Sequence, residues 1–231
     1  MLRIFDRKQG VSVRQGWVLL IEITHSIFMQ KFNDKIIYNG EIVAGSLLIR
    51  ESRKIARLLL NNTDSAEWHQ AIVIENVLQK NRPDTAMRQA RLIKNRLSLM
   101  TPKLWEIVDK SSTDVAVQAI LAASIKHSRL VGDFMNKTLR EHWRTFTKNI
   151  FIKDWKDFLE TCAQVDPKVD KWTDSTKVKL RQVVFRILTE AKYFESTRTL
   201  KLLPVSIIPD IRKYLIENSE DYVLLCMEVT Q

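Results

Sequence analysis

Apolar residues in the segment 84–100 recur every three or four positions, which is the spacing of one face of an α-helix. They are Ala86, Ala90, Ile93, Leu97 and Met100. A half-buried strand would instead alternate apolar and polar residues at every second position. The chain also has only five glycines and five prolines among 231 residues, so it offers few of the turns that β-hairpins require. The sequence therefore predicts an all-α, multi-helix globular fold.

A short turn precedes this helix and follows another amphipathic segment. We expect the first helix at about 66–80, the turn at 81–84, and Asp84 as the cap of the second helix. The residues opposite the apolar stripe of the second helix are Arg88, Arg91 and Asn95. Two helices joined by a tight turn, the second with such a face, are typical of a helix-turn-helix DNA reader. An antiparallel helix pair in an all-helical core fits the same pattern.

A second element of this kind is predicted nearer the C-terminus. The capping cluster at 172–176 should begin a helix that runs to about Ala191. Its apolar stripe consists of Leu180, Val183, Val184, Ile187 and Ala191. Its polar face and flanks consist of Ser175, Lys177, Lys179, Arg181, Gln182 and Arg186. These side chains suit phosphates and base edges, although a solvated face of an amphipathic helix has the same composition.

The segments around this helix complete the second candidate reader. A helix at 154–163 and a short one after Pro167 precede it, as in a helix-turn-helix. The segment 193–205 is a candidate for a small β-hairpin that would act as a wing.

Two carboxylates interrupt apolar stripes. Glu51 lies within the stripe of the helix expected at 41–60, and Glu75 within that of the next helix. Because an isolated buried charge is very costly, we expect each carboxylate to form a structural ion pair. The candidate partners are Arg88, Arg91 and Arg96, and a guanidinium can satisfy both carboxylate oxygens at once. A divalent cation held by the two glutamates is the alternative.

The charge of the chain indicates the class of its partner. Lys and Arg number 37 against 27 Asp and Glu, a formal net charge of +10. This excess favours a polyanion, because each neutralised phosphate releases a counterion. Double-stranded DNA and RNA both fit. Few exposed aromatic residues are expected beside the basic ones, which argues against stacking on single strands.

Patterns for catalysis and cofactor binding are missing from the sequence. The four histidines have no partner at metal-ligand spacing, and no glycine-rich phosphate loop occurs. We therefore expect a protein that is not an enzyme and has no metal or cofactor. Cys162 and Cys226 lie far apart and form no disulfide framework, as expected in a reducing cytoplasm. No run of 18 apolar residues occurs, so we predict no membrane span.

The chain is divided by pattern into three parts. Residues 1–36 are interpreted as an N-terminal extension, of which 1–28 would come from an upstream start codon. Residues 37–110 and 111–231 would form two helical domains, each with one of the two candidate readers. We expect the protein by itself to be a monomer.

Four short stretches resemble a known family. They read YNGE at 38–41, SLLIRESRKIA at 46–56, ENVLQ at 75–79 and TAMRQARLIKNRL at 85–97. These stretches are similar to BrxA, a small component of the bacteriophage exclusion (BREX) defence systems of bacteria. The resemblance covers residue 36 to the C-terminus. It implies an all-helical protein with helix-turn-helix elements that binds double-stranded DNA beside other BREX proteins, without enzyme activity. An adaptor whose basic faces contact other defence subunits is the rival interpretation.

Overall fold

The computed structural model describes residues 37–230, so the predicted extension at 1–36 lies outside the described residues. Residues 37–231 group as one compact unit of the chain. The described residues form helices, turns and two isolated β-bridges, with no β-strand among them. The all-α prediction is confirmed.

The helices follow one another with short connections. They are α1 Ile49–Leu60, α2 Ser65–His69, α3 Pro83–Ser98, α4 Pro102–Lys110, α5 Thr113–His127, α6 Arg129–Asp133, α7 Arg140–Arg144, α8 Ile152–Val165, α9 Asp174–Glu190, α10 Pro209–Glu217 and α11 Asp221–Met227. A 3₁₀ turn at Glu41–Ala44 precedes α1. π-helical turns extend α2 through Gln70–Ile74 and join α6 to α7 through Phe134–Leu139.

Helix α5 forms the centre of the core. It is apolar on all sides, and every residue from Ala116 to Ile125 is buried, as expected for a helix enclosed by others. It packs against α1, α3 and α4 and also against α10 and α11. The helices on the two sides of the predicted division at 110/111 therefore share one core.

A cluster of aromatic rings fixes α8 and α9 to this core. Trp155 of α8 and Phe185 of α9 lie with ring centroids 6.0 Å apart, and Phe134 lies 5.2 Å from Trp155. Phe158 and Phe194 complete the cluster. Because such edge-to-face contacts require defined ring positions, they determine which side of α9 faces outward.

A buried carboxylate joins the two ends of the described chain. Asp133 is buried, and its Oδ2 accepts a 2.7 Å hydrogen bond from the Tyr38 hydroxyl. Its Oδ1 accepts a 2.8 Å hydrogen bond from the Tyr222 hydroxyl, and Arg129 Nε lies 2.9 Å away. Burial, together with the nearby carboxylate, raises the pKa of both phenols. Both hydroxyls therefore remain protonated donors, which a buried carboxylate needs.

The first candidate reader differs from its prediction. The helix expected at 66–80 ends its regular turns at Ile74, because Asn76 and Gln79 adopt left-handed backbone angles with φ of 46° and 55°. Helix α3 begins at Pro83, and the Asp84 side chain does not cap it. Proline suits this first position because it lacks the N–H that would stay unpaired there.

The predicted pairing of Glu51 and Glu75 with arginine is wrong. Glu51 Oε1 lies 2.5 Å from Lys80 Nζ, and both side chains are largely covered. Glu75 is exposed, and it accepts a 3.4 Å hydrogen bond from Gln70. Glu75 follows the last regular turn, so a helical wheel drawn through it does not apply. Arg96 is buried as the prediction required, but it donates to backbone carbonyls instead.

Candidate nucleic-acid interface

Helix α9 has the polar face that the sequence predicts. The Thr173 side chain caps it by accepting a 3.2 Å hydrogen bond from the Thr176 N–H. Leu180, Val184 and Ile187 are buried, and Val183 is half-buried. Ser175, Lys179, Gln182 and Arg186 are exposed, with Lys177 and Arg181 half-buried beside them. The side chains proposed to meet DNA therefore share one accessible face.

A groove of about 670 Å³ lies along part of this face. Its lining consists of Arg181, Gln182, Phe185 and Arg186 of α9, the segment 149–152, and the segment 197–200. Three guanidinium groups, those of Arg181, Arg186 and Arg198, border the groove. None of the described residues that line it is acidic. Such a concentration of cations attracts phosphate groups.

The segment predicted as a wing contributes one side of the groove. Phe194 and Leu202 form an antiparallel bridge, and Lys201 forms another with Asn149. These are single bridges rather than paired strands, so a wing is not confirmed. Ile150 N–H donates to the Leu200 carbonyl at 3.0 Å, which holds the two lining segments together.

A tight turn presents Arg198 at the groove. Ser196 Oγ accepts hydrogen bonds from the N–H groups of Arg198 and Thr199, at 3.3 and 3.0 Å. A serine that binds the backbone two and three residues ahead defines such a turn. Sequence reasoning did not include Arg198 or the segment 149–152 in the site. The segment 149–152 precedes α9 along the chain, and Arg198 lies in the non-helical segment that follows it, so helical spacing gives no signal for either.

Exposed apolar side chains lie beside the basic ones. Phe151 is 58% exposed, and it borders the groove together with Ile152. Phe146, five residues earlier, is 90% exposed. Two exposed aromatic residues thus lie near the basic face, of which Phe151 lines the groove itself. Phe151 precedes α8, where no apolar stripe can bury it.

The exposed face of α3 is a separate surface. Arg88, Arg91 and Asn95 are exposed there, and none of them lines the groove on α9. Lys94 Nζ lies 4.5 Å from the centre of the Trp68 ring, a cation–π contact. The structure thus leaves the two predicted reader faces apart from one another.

Buried polar contacts connect α3 to the end of α9. Arg96 of α3 donates to the carbonyls of Ser46 at 2.5 Å and Gly45 at 3.1 Å. Glu190, the last residue of α9, accepts from the Ser46 hydroxyl at 2.8 Å and from the Leu47 N–H at 2.9 Å. Burial lowers the pKa of Arg96 to about 10, and the negative charge of Glu190 acts in the opposite direction. The segment 45–47 is therefore held from both helices.

Two kinds of feature are absent from the described residues, a metal-ligand cluster and a membrane-spanning helix. Within residues 37–230, no group of three or more His, Cys, Asp or Glu side chains could hold a metal ion. In the same part of the chain, every helix is too short or too polar to cross a bilayer. Burial raises the pKa of the Cys162 and Cys226 thiols to about 12, so neither is a ready nucleophile.

Comparisons with known proteins give consistent matches. The profile of a family described as BrxA matches residues 36–219. "BREX protein BrxA" of Paramagnetospirillum magneticum is 45% identical over 193 residues, covering 84% of this chain and 97% of that protein. The protein of the same name from Escherichia coli O9:H4 is 31% identical, covering 79% and 85%. A crystal structure of a protein from Magnetospirillum magneticum is similar with a TM-score of 0.77 and 43% identity, covering 83% of this chain and 98% of that one.

Proposed function

The chain belongs to the BrxA family of BREX components, and from that premise we propose that it binds double-stranded DNA without being an enzyme. Its role is in phage defence, as the BREX membership indicates. In this proposal it acts in the cytoplasm, as a monomer by itself that also contacts other BREX proteins. Helix α9 faces the duplex, and the groove beside it receives the backbone.

The observation that carries the proposal is the grouping of three arginines around one open groove. Arg181 and Arg186 come from α9 and Arg198 from the turn at 196–199, so two elements place cations on one surface. Gln182 lies between the two helical arginines and has an amide that suits base edges. Arginine also binds phosphate oxygens in pairs, which orients the protein on the backbone.

The remaining faces have supporting roles in this proposal. Ser175, Lys177 and Lys179 extend the contact along α9 toward its N-terminus, where backbone N–H groups favour phosphate. Arg88, Arg91 and Asn95 of α3 form a second, independent contact surface.

An equilibrium titration tests the proposal. Mobility shifts of duplex DNA, single-stranded DNA and RNA are measured with the full chain at two salt concentrations. We expect duplex DNA to bind, with the logarithm of the affinity falling by about 0.9 per phosphate contact for each unit of log salt. Duplex affinity that does not change with salt would favour the adaptor, and tighter binding of RNA would favour an RNA-binding module.

A further inference from the structure

Phe146 occupies a position that usually requires glycine. Helix α7 ends in a Schellman motif, in which the Thr147 N–H donates to the His142 carbonyl at 2.8 Å and the Phe146 N–H donates to the Trp143 carbonyl at 3.2 Å. The residue after the helix end must then be left-handed, and Phe146 has a φ of 55°. A side chain strains the backbone there, which is why glycine is preferred.

The strained backbone gains no packing in return. The Phe146 side chain is 90% exposed, whereas Leu200, another left-handed apolar residue, is buried. The turn itself is well held, because Thr145 Oγ1 lies 3.1 Å from Thr147 Oγ1 and donates to the Glu141 carbonyl at 2.9 Å. Strain that brings no burial is a feature of functional positions. The ring is therefore held in solvent by a rigid turn.

Phe151 is a second exposed ring at the same surface. Its backbone N–H donates to Asp154 Oδ2 at 2.6 Å, which fixes the start of α8. Its side chain is 58% exposed and borders the groove with Arg181 and Arg186. Among the described residues, no aromatic or cation–π contact holds this exposed ring, although it shares the groove with arginines.

The two rings lie close enough to contact one duplex. Phe151 follows Phe146 by five residues, so their Cα atoms are at most about 18 Å apart, which is roughly the length of five stacked base pairs. Arg144 and Lys148 are exposed on the two sides of Phe146. A polyanion in the groove is thus drawn toward both rings.

We propose that Phe146 and Phe151 insert between or stack on bases of the bound DNA, so that the protein prefers duplexes that contain an unstacked or unpaired base. This inference rests on the proposed duplex binding and specifies which kind of duplex the protein prefers. Arginines hold the phosphates, while apolar rings replace the stacking that a base loses at a bulge. Proteins that insert apolar side chains between base pairs use the same physical principle.

The test compares one short duplex with the same duplex carrying one extra unpaired adenine at its centre. Because the bulge is already unstacked, the parent protein should bind the bulged duplex about tenfold more tightly. Phe146→Ala/Phe151→Ala lacks both rings, so its affinities for the bulged and the paired duplex should differ by less than about twofold, while its salt dependence, which the arginines set, should stay steep. Permanganate reactivity of thymines in the paired duplex should rise with the parent and not with the variant.

Two controls separate stacking from a general effect of mutation. Phe146→Trp/Phe151→Trp keeps a ring at both positions and should keep the preference. Ile216→Ala removes an apolar side chain that is 56% exposed on α10 and lies outside the groove. This variant should keep both the duplex affinity of the parent and its preference for the bulge. A parent that binds the paired and bulged duplexes equally, with steep salt dependence, would overturn this inference and leave the proposed function standing. A parent that binds no duplex would overturn both.

Discussion

Arg96 and Glu190 hold Ser46 between them: the guanidinium donates to its carbonyl at 2.5 Å, and the carboxylate accepts from its hydroxyl at 2.8 Å. Arg96 comes from α3 and Glu190 from the end of α9. A carboxylate at the C-terminal end of a helix opposes the helix dipole, so Glu190 is unfavourable for α9 alone. Its contacts with Ser46 and Leu47 offset this unfavourable position.

Breaking this arrangement should destabilise the fold. Glu190→Gln removes the negative charge near the buried Arg96 cation and weakens two charge-assisted hydrogen bonds, which should lower the free energy of unfolding by about 1–3 kcal/mol. Arg96→Met should also destabilise, because two carbonyls lose a donor. The double variant should lose less free energy of unfolding than the two single variants together, since it leaves neither charge without its counterpart. Urea unfolding of the parent, the two single variants and the double variant measures these losses. Additive losses would mean that the two charges are independent.

Lys179 and Arg186 should contribute to DNA affinity without contributing to stability. Both are exposed on the polar face of α9, so Lys179→Ala/Arg186→Ala should remain fully helical. Each lost phosphate contact should cost on the order of 1 kcal/mol and reduce the salt slope by about 0.9. Lys103→Ala/Lys213→Ala removes the same charge from exposed positions elsewhere and is the matched control. Equal affinity of the two double variants would remove α9 from the interface.

Phe146→Gly should stabilise the protein. Glycine adopts the left-handed angles at this position without strain, and the lost side chain is almost fully exposed. The expected gain is about 1 kcal/mol, or several degrees in Tm. Thermal unfolding of parent, Phe146→Ala and Phe146→Gly measures it, because alanine removes the ring but keeps the strain. A glycine variant that melts no higher than the alanine variant would show that the turn is unstrained.

Glu51 and Glu75 should differ in their effect on stability. Glu51→Ala leaves the largely covered Lys80 ammonium without its partner, so we expect a loss of about 1–2 kcal/mol. Glu75→Ala removes an exposed carboxylate and should stay within about 0.5 kcal/mol of the parent. Melting curves with added Mg²⁺ or chelator should coincide for the parent. Stabilisation by Mg²⁺ that both variants lose would instead support a cation site.

His127 should make the fold less stable in acid. Burial and the charge of Arg96 lower its pKa, while Glu41, 3.1 Å from Nε2, acts in the opposite direction. The unfolded chain therefore takes up a proton below about pH 6.5 before the folded one does, so stability falls with pH in that range. His127→Gln has no such proton and should lose less stability between about pH 7 and pH 5.5, as urea unfolding at each pH measures. An identical decline in both proteins would assign the effect to other groups.

Local signals in the sequence predicted α9 well. Its cap, its length and the exposure of Lys179, Gln182 and Arg186 follow from a threonine followed by a regular apolar period. The DNA role of these residues stays a prediction. The groove could not be predicted, because one β-bridge, Asn149–Lys201, and one backbone hydrogen bond, Ile150 to Leu200, bring its two lining segments together from distant parts of the chain.

The errors near Glu75 have one physical origin. This chain makes its left-handed turns at residues other than glycine, among them Asn76, Gln79 and Phe146. A helix end marked by glycine is easy to recognise in a sequence, whereas asparagine, which ends this one at position 76, takes that role less often and is a weaker signal. The sequence therefore predicts too long a helix at 66–80, and a helical wheel over that range places Glu75 on the buried face.

The hydrogen bonds of Asp133 affect how the chain folds during its synthesis. One of its oxygens binds Tyr38, near the start of the described chain, and the other binds Tyr222, near its end. A nascent chain that has not yet reached residue 222 lacks the Tyr222 hydroxyl, so Asp133 has only Tyr38 and the cations of Arg129 and Lys137 as partners. Burial of this carboxylate is then less favourable than in a chain that includes Tyr222. A product of premature termination before residue 222 should therefore be less stable and more readily degraded.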